Sequence, residues 1–77
     1  MKVIIRAKFV GCLEKTSQKG NKYYQVSLLQ DNDIEKYYFP TDSIKYIEPL
    51  SDVVANVNIT KNHFGYQFTI LDIEGVD

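Results

Sequence analysis

Residues 2–14 read KVIIRAKFVGCLE, and this stretch decides the fold class of the chain. Apolar and charged side chains alternate along it, which is the period-two pattern of a strand with one buried face. Gly11 interrupts the alternation, and a glycine inside a strand often marks a bulge or a bend. A long, bent first strand is what a small closed barrel requires. The apolar face of this strand holds Val3, Ile5, Ala7, Phe9 and Leu13.

Four further strands are predicted downstream, at residues 22–29, 34–39, 52–60 and 66–73. Each of them is rich in β-branched or aromatic residues, and apolar and polar side chains alternate along most of them. They are joined by short polar connections at residues 16–21, 31–33 and 61–65. Asp and Asn in such connections bond to their own backbone and so favour tight turns.

The single helix predicted from the sequence covers residues 41–48. Ile44 and Ile47 are three positions apart, Thr41 or Asp42 can cap the start, and Pro49 ends the segment. Three strands, a short helix and two strands follow one another in the order of the five-stranded OB barrel. The predicted fold is therefore all-β: one OB-like domain over residues 1–77 with one short helix between strands 3 and 4. An SH3-like barrel and an open sheet are the alternatives.

Alternation also divides the aromatic side chains between a core and an outer surface. Tyr23 and Tyr38 are expected to point outward, because their neighbours along the strand are the apolar core positions. Tyr46 is expected to pack the short helix against the barrel. The aromatic residues expected in the core are Phe9, Tyr24, Tyr37, Phe39, Tyr66 and Phe68.

Charge is unevenly distributed along a chain whose formal net charge is only -1 over 77 residues. Residues 1–24 hold six Lys and Arg residues and one Glu, whereas residues 25–77 hold three Lys and nine Asp and Glu residues. A basic segment on a nearly neutral chain can create a local positive field that attracts anions. The near-zero total argues against an indiscriminately basic nucleic-acid binder.

Several classes of protein are disfavoured by the same sequence. Its longest apolar runs, residues 3–5 among them, are far shorter than the roughly 20 residues of a membrane helix. No apolar segment follows Met1, so no secretory signal is predicted. Cys12 is the one cysteine and cannot form an internal disulfide. These features predict a cytoplasmic protein without membrane contact.

An enzyme is not expected, and neither is a metal or another cofactor. The one histidine, His63, and the one cysteine, Cys12, fall in different predicted elements. Glycine-rich phosphate loops and the usual metal-ligand spacings do not occur. The acidic stretch at residues 31–35 lacks the glycine and the distant glutamate of a calcium loop, so it is interpreted as a hairpin turn.

Basic residues next to aromatic ones recur along the chain, as in Lys22-Tyr23 and Lys36-Tyr37-Tyr38. Single-stranded nucleic acid favours this pairing, because cations follow the phosphates and aromatic faces stack on unpaired bases. Duplex DNA would need a helix or ribbon that enters a groove, and one short helix with Lys45 is a poor candidate. One outer surface is expected to gather Arg6, Lys8, Lys22, Tyr23, Lys36 and Tyr38. The candidate binding residues are Arg6, Lys8, Lys15, Lys19, Lys22, Tyr23, Lys36, Tyr38, Lys61 and Phe64.

Two fragments of the sequence carry a family resemblance. The stretch SQKGNKYY at residues 17–24, followed by a strand, and His63-Phe64-Gly65 in a late hairpin resemble the small OB-fold single-stranded DNA-binding proteins of bacteriophages. The filamentous-phage helix-destabilising proteins are one such group that the chain resembles. The resemblance implies a dimeric OB barrel that coats single strands during replication. It matches the loop glycine of that family to Gly20, its tyrosine to Tyr23 and its hairpin phenylalanine to Phe64.

The leading hypothesis is a non-enzymatic module that binds single-stranded DNA with little sequence preference, as a homodimer. The resemblance places it in phage or mobile-element DNA replication or recombination, and hence in the cytoplasm of the host cell. One alternative is a protein-interaction barrel that docks on a host or replication protein. The other is an RNA-binding OB domain, because OB barrels bind both nucleic acids.

Overall fold

Five strands follow one another in the computed structural model, which describes residues 1–76. They are the five strands predicted from the sequence, each longer by one to three residues. Asp31 and Asn32 join the second and third strands in a two-residue turn, and both adopt positive φ, as a tight hairpin turn requires. The strands are β1 (Lys2–Thr16), β2 (Lys22–Gln30), β3 (Asp33–Phe39), β4 (Asp52–Asn62) and β5 (Gly65–Gly75).

The strands close into a barrel in the order β1-β2-β3-β5-β4, and β4 pairs back with β1. All neighbours are antiparallel except β3 and β5, which are joined by a single parallel register pair, Tyr38 with Thr69. The first strand has two neighbours in succession: residues 2–8 pair with β4, and residues 8–16 pair with β2. The all-β class and the closed five-stranded barrel are thus confirmed.

A β-bulge at Gly11 lets β1 change partners, as the interrupted alternation predicted. The register with β2 shifts between Phe9 and Gly11. Phe9 is buried and Cys12 also packs against the core, so the inward side of the strand changes from odd to even positions. Leu13 therefore points outward and is 63% exposed. Its assignment to the apolar inner face was wrong, because an extra residue in a strand reverses every side chain after it.

The core lies inside the barrel and is built from side chains of all five strands. No polar or charged residue of the described chain is buried. The predicted inward faces of the second, third and fourth strands are confirmed, with Tyr24 and Phe39 packing at the edge of the core. The buried residues are Phe9, Val26, Leu28, Tyr37, Val53, Ala55, Val57 and Ile70.

The hairpin of β4 and β5 extends beyond the body of the barrel. Along β4, pairing with the first strand ends at Asn58, and Met1 adds backbone hydrogen bonds only to Ile59. β3 meets β5 only at Thr69, so the hairpin has no third strand past these positions in the described chain. Tyr66 and Phe68 share a face with the buried Ile70, as the alternation predicted. They are nevertheless 66% and 40% exposed. Their assignment to the core was wrong because that face continues past the end of the barrel.

No helix forms over residues 41–48, so the predicted short helix was wrong. The hydroxyl of Thr41 accepts a hydrogen bond from the Ser43 amide (3.3 Å) and donates one to the Ser43 carbonyl (2.8 Å). Such local side-chain bonds compete with helix formation, and a segment this short is marginal as a helix. Ile44 still packs against the core, but Tyr46 is 85% exposed and does not pack on the barrel.

Replacing Leu28 by Ala is expected to lower the free energy of unfolding by about 2–5 kcal/mol, because the side chain is 1% exposed and leaves a cavity. Urea denaturation measures the change. Leu13→Ala is the matched control and should shift stability by no more than about 0.5 kcal/mol, since surface substitutions rarely do more. Equal losses in both variants would contradict the assignment of the core.

Candidate nucleic-acid interface

An outer platform of three side-chain rows crosses β1, β2 and β3. The register opposes Leu13 to Gln25, and Gln25 to Tyr38. The row on one side holds Lys15 and Tyr23, and the row on the other side holds Gly11, Ser27 and Lys36. All of these positions face outward, because they alternate with the buried Val26, Leu28 and Tyr37.

Tyr23 and Tyr38 lie in contact on this platform. Their ring centroids are 5.1 Å apart and the rings are inclined by 53°. They are diagonal neighbours on adjacent antiparallel strands, a distance that aromatic side chains bridge readily. The outward orientation predicted for both tyrosines is confirmed. Tyr38 is 38% exposed, so part of an aromatic face is open to a ligand.

The overhanging hairpin forms the second wall of a groove above the platform, here called the aromatic groove. Phe68 reaches the barrel through an edge-to-face contact with Tyr37, with centroids 6.0 Å apart. The platform contributes Lys15, Tyr23, Gln25, Lys36 and Tyr38, and the hairpin contributes Asn62, Phe64, Tyr66, Gln67 and Phe68. Burial and the negative charge of Glu35 raise the pKa of Tyr37, so this tyrosine stays neutral.

Phe64 stands at the tip of the hairpin and is 98% exposed. Its amide donates a hydrogen bond of 2.8 Å to the side-chain oxygen of Asn62, which closes the turn locally. Gly65 follows with a φ of 117°, a conformation that other residues rarely adopt. The turn therefore presents the phenyl ring to solvent, where the ring contributes nothing to the core of the barrel.

The β1–β2 loop holds Lys19 at the same end of the barrel as the start of β2. The amide of Ser17 donates to the carbonyl of Asn21 (2.8 Å), and the amide of Gly20 donates to the carbonyl of Ser17 (3.0 Å). Gly20 has a φ of 86°. These contacts give the loop a defined shape, with the exposed Lys19 between its two ends.

The charged residues that line the aromatic groove, among those described, are all cationic. Lys15 and Lys36 line it, and no Asp or Glu is among the described residues that do so. The Nζ atom of Lys61 lies 6.0 Å from the ring centroid of Tyr66, within cation–π range. None of these three lysines has an ion-pair partner in residues 1–76. The groove thus combines unneutralised cations with exposed aromatic rings.

Five of the ten predicted binding residues line the aromatic groove, and five do not. Of the second group, Lys19 lies in the β1–β2 loop and Lys61 lies beside Tyr66, whereas the other three lie elsewhere. Lys22 faces Glu14 at 3.5 Å and does not line the groove. Arg6 and Lys8 precede the bulge and lie on the part of β1 that runs beside β4. The Nζ atom of Lys8 is 3.1 Å from a carboxylate oxygen of Asp52. The single surface expected to gather all six outward residues is therefore divided.

Arg6 and Lys8 line a separate groove of about 550 Å³, against about 350 Å³ for the aromatic groove. Carboxylates of Asp31 and Asp52 also line it, and no aromatic side chain does. Its cations are balanced and it offers no stacking surface. We therefore place the candidate interface in the smaller, aromatic groove, because its charges and exposed rings suit a nucleic acid better although its volume is lower.

Sequence reasoning missed the hairpin wall of the groove. Tyr66, Gln67 and Phe68 were not among the candidate residues, because alternation assigned the two aromatics to the core. The predicted lengths of the strands did carry a signal. The strands on either side of residues 61–65 are longer than β3, which is the neighbour of one of them. The ends of the longer strands must therefore extend past β3 and be exposed.

Other chemistry finds little support in residues 1–76. No group of three or more His, Cys, Asp or Glu residues in this part of the chain is arranged to hold a metal ion. Burial raises the pKa of the Cys12 thiol, which keeps it protonated and weakly nucleophilic at neutral pH. No helix of the described chain has the length and apolarity needed to cross a membrane.

The comparisons with known proteins give no identification. No protein-family model matches this chain, and no curated protein matches its sequence significantly. The candidate interface consequently depends on the geometry and the charges described above.

Gly20→Ala and Gly65→Ala are each expected to lower the free energy of unfolding by about 1 kcal/mol, because both positions have positive φ. Thermal unfolding measures the loss. Gly75→Ala is the matched control, since it has open space for a Cβ atom and no left-handed φ. A destabilisation by Gly75→Ala as large as that of the other two would contradict the turn geometry.

Proposed function

We propose that this protein is an OB-type barrel that binds single-stranded DNA, without catalysis and with little sequence preference, in the aromatic groove. The observation that carries the proposal is the composition of that groove: lysines without ion-pair partners and exposed aromatic rings on both walls, with no carboxylate among its described lining residues. No resident cofactor is part of the proposal.

The chemistry of an unpaired strand suits such a groove. Each exposed ring offers a stacking surface worth roughly 1–3 kcal/mol per base, and it accepts any base because all bases have a π-face. The lysine ammonium groups contact phosphates as point charges. A base pair inside a duplex keeps its faces covered, so these rings would have nothing to stack on. Single strands are therefore favoured over duplex DNA.

The position of the groove on the barrel supports the same function. In OB barrels the face of strands 2 and 3, together with the loops between strands 1–2 and 4–5, binds oligonucleotides. Here Tyr23, Gln25 and Tyr38 lie on that face, and Phe64 lies in the loop between the fourth and fifth strands. Lys19 lies in the loop between the first and second strands.

The wider setting rests on the resemblance to phage single-stranded DNA-binding proteins. Homodimer formation and a part in phage or mobile-element replication or recombination remain predictions from that resemblance. The small core, which a second copy could extend, is consistent with a dimer. The mass of the free protein by sedimentation equilibrium is the direct measurement of that state.

Titration of a fluorescent oligo-dT at several salt concentrations tests the proposed function. Binding should weaken steeply as salt rises, since each phosphate contact contributes about -0.7 to the slope of log K against log salt. Lys36→Ala should reduce that slope by about 0.7. Lys8→Ala, whose charge is already balanced by Asp52, is the control and should leave it unchanged.

Absence of oligo-dT binding at low salt would refute the proposed function. Equal binding of matched RNA would change the assigned ligand from DNA to nucleic acid in general. Capture of a protein that survives nuclease treatment, combined with no oligonucleotide binding, would favour the protein-interaction alternative.

Tyr23→Ala, Tyr38→Ala and Phe64→Ala should each weaken oligo-dT binding by about 1–3 kcal/mol if the rings stack on bases. Tyr46→Ala is the matched control, because Tyr46 is 85% exposed but lies outside the aromatic groove. Fluorescence anisotropy at one salt concentration measures all four variants. Parent-like binding by the first three would show that the aromatic assignment is wrong.

A further inference from the structure

Leu13 is an exposed apolar side chain next to the aromatic groove that the proposed site does not yet use. It is 63% exposed and lies on the outer platform opposite Gln25. Gln25 in turn lies opposite Tyr38, so the three side chains form one row across β1, β2 and β3. Lys15 and Tyr23, which line the groove, form the adjacent row.

A single exposed leucine needs no explanation by itself. Leu13 differs because of its position, which continues the line from Tyr38 through Gln25 on the same face of the sheet. Ile4 offers a comparison on the same strand: it is 68% exposed, precedes the bulge and pairs with Asn56 of β4. Of these two side chains, only Leu13 lies on the outer platform.

In the row next to Leu13, the β1 residue is a glycine, so no side chain covers the backbone there. Gly11 lies opposite Ser27 on the outer face. A Cβ atom at Gly11 would meet nothing within 4 Å, and its φ lies outside the left-handed region. Besides marking the bulge, this glycine therefore leaves space above the strand, and a glycine in a strand often allows another molecule to approach the backbone closely.

We infer that the bound strand continues from Tyr38 across Gln25 onto β1, where Leu13 packs against the apolar face of a base or a deoxyribose. This inference rests on the proposed function and extends it from the β2–β3 face to three strands. The ammonium group of Lys15, in the next row, is placed to contact a phosphate of the same nucleotide. Leu13 contributes apolar contact and no charge.

Oligo-dT binding by Leu13→Ala at fixed salt tests the inference, with thermal unfolding to show that the variant is folded. We expect binding about three- to tenfold weaker, in line with the loss of a half-buried leucine contact. The slope of log K against log salt should stay at the parent value, because no cation is removed. Ile4→Ala is the matched control and should bind like the parent.

The outcomes separate this inference from the proposed function. Parent-like binding by Leu13→Ala, while the parent itself binds, overturns the inference and leaves the function intact. No binding by the parent refutes both. Sedimentation equilibrium of Leu13→Ala without DNA addresses the other occupant of this surface: a lower mass than the parent's would show that a second copy covers Leu13, and would also overturn the inference.

Discussion

The closed barrel depends on β1, which must pair first with β4 and then with β2 along its length. A barrel of five strands closes only if the strand shared by β4 and β2 bends, and the bulge at Gly11 supplies that bend. The bulge also reverses the inward side of the strand, so that Cys12 packs against the core and Leu13 points outward. One extra residue thus closes the barrel and adds an apolar side chain to its outer surface.

The same bend separates two groups of cations that the sequence places side by side. Arg6 and Lys8, before the bulge, lie in a groove that Asp31 and Asp52 neutralise, whereas Lys15, after it, faces exposed aromatic rings. A chain with almost no net charge can therefore hold a positively charged groove, provided that its carboxylates lie elsewhere. This arrangement favours an anionic ligand locally without attracting polyanions to the whole surface.

Much of the fold could be predicted from the sequence because period-two alternation directly reports which side of a strand is buried. The five strands, the core positions Val26 and Leu28, and the outward Tyr23 and Tyr38 all followed from it. Alternation cannot say where a barrel ends, and so Tyr66 and Phe68 were misassigned. The helix at residues 41–48 failed for a different reason, since its two isoleucines fit a helix and an irregular loop equally well, and side-chain bonds of Thr41 favour the loop.

The overhang of the β4–β5 hairpin has a consequence for the thermodynamics of any partner that touches it. A two-stranded ribbon without a third strand is marginally stable in water, so its outer end opens more readily than the barrel body. A ligand held against Phe64 must restrict that end, and the lost conformational entropy reduces the affinity obtained per contact. In return, the hairpin can adjust to ligands of differing local shape, as the proposed binding of single strands without sequence preference would require.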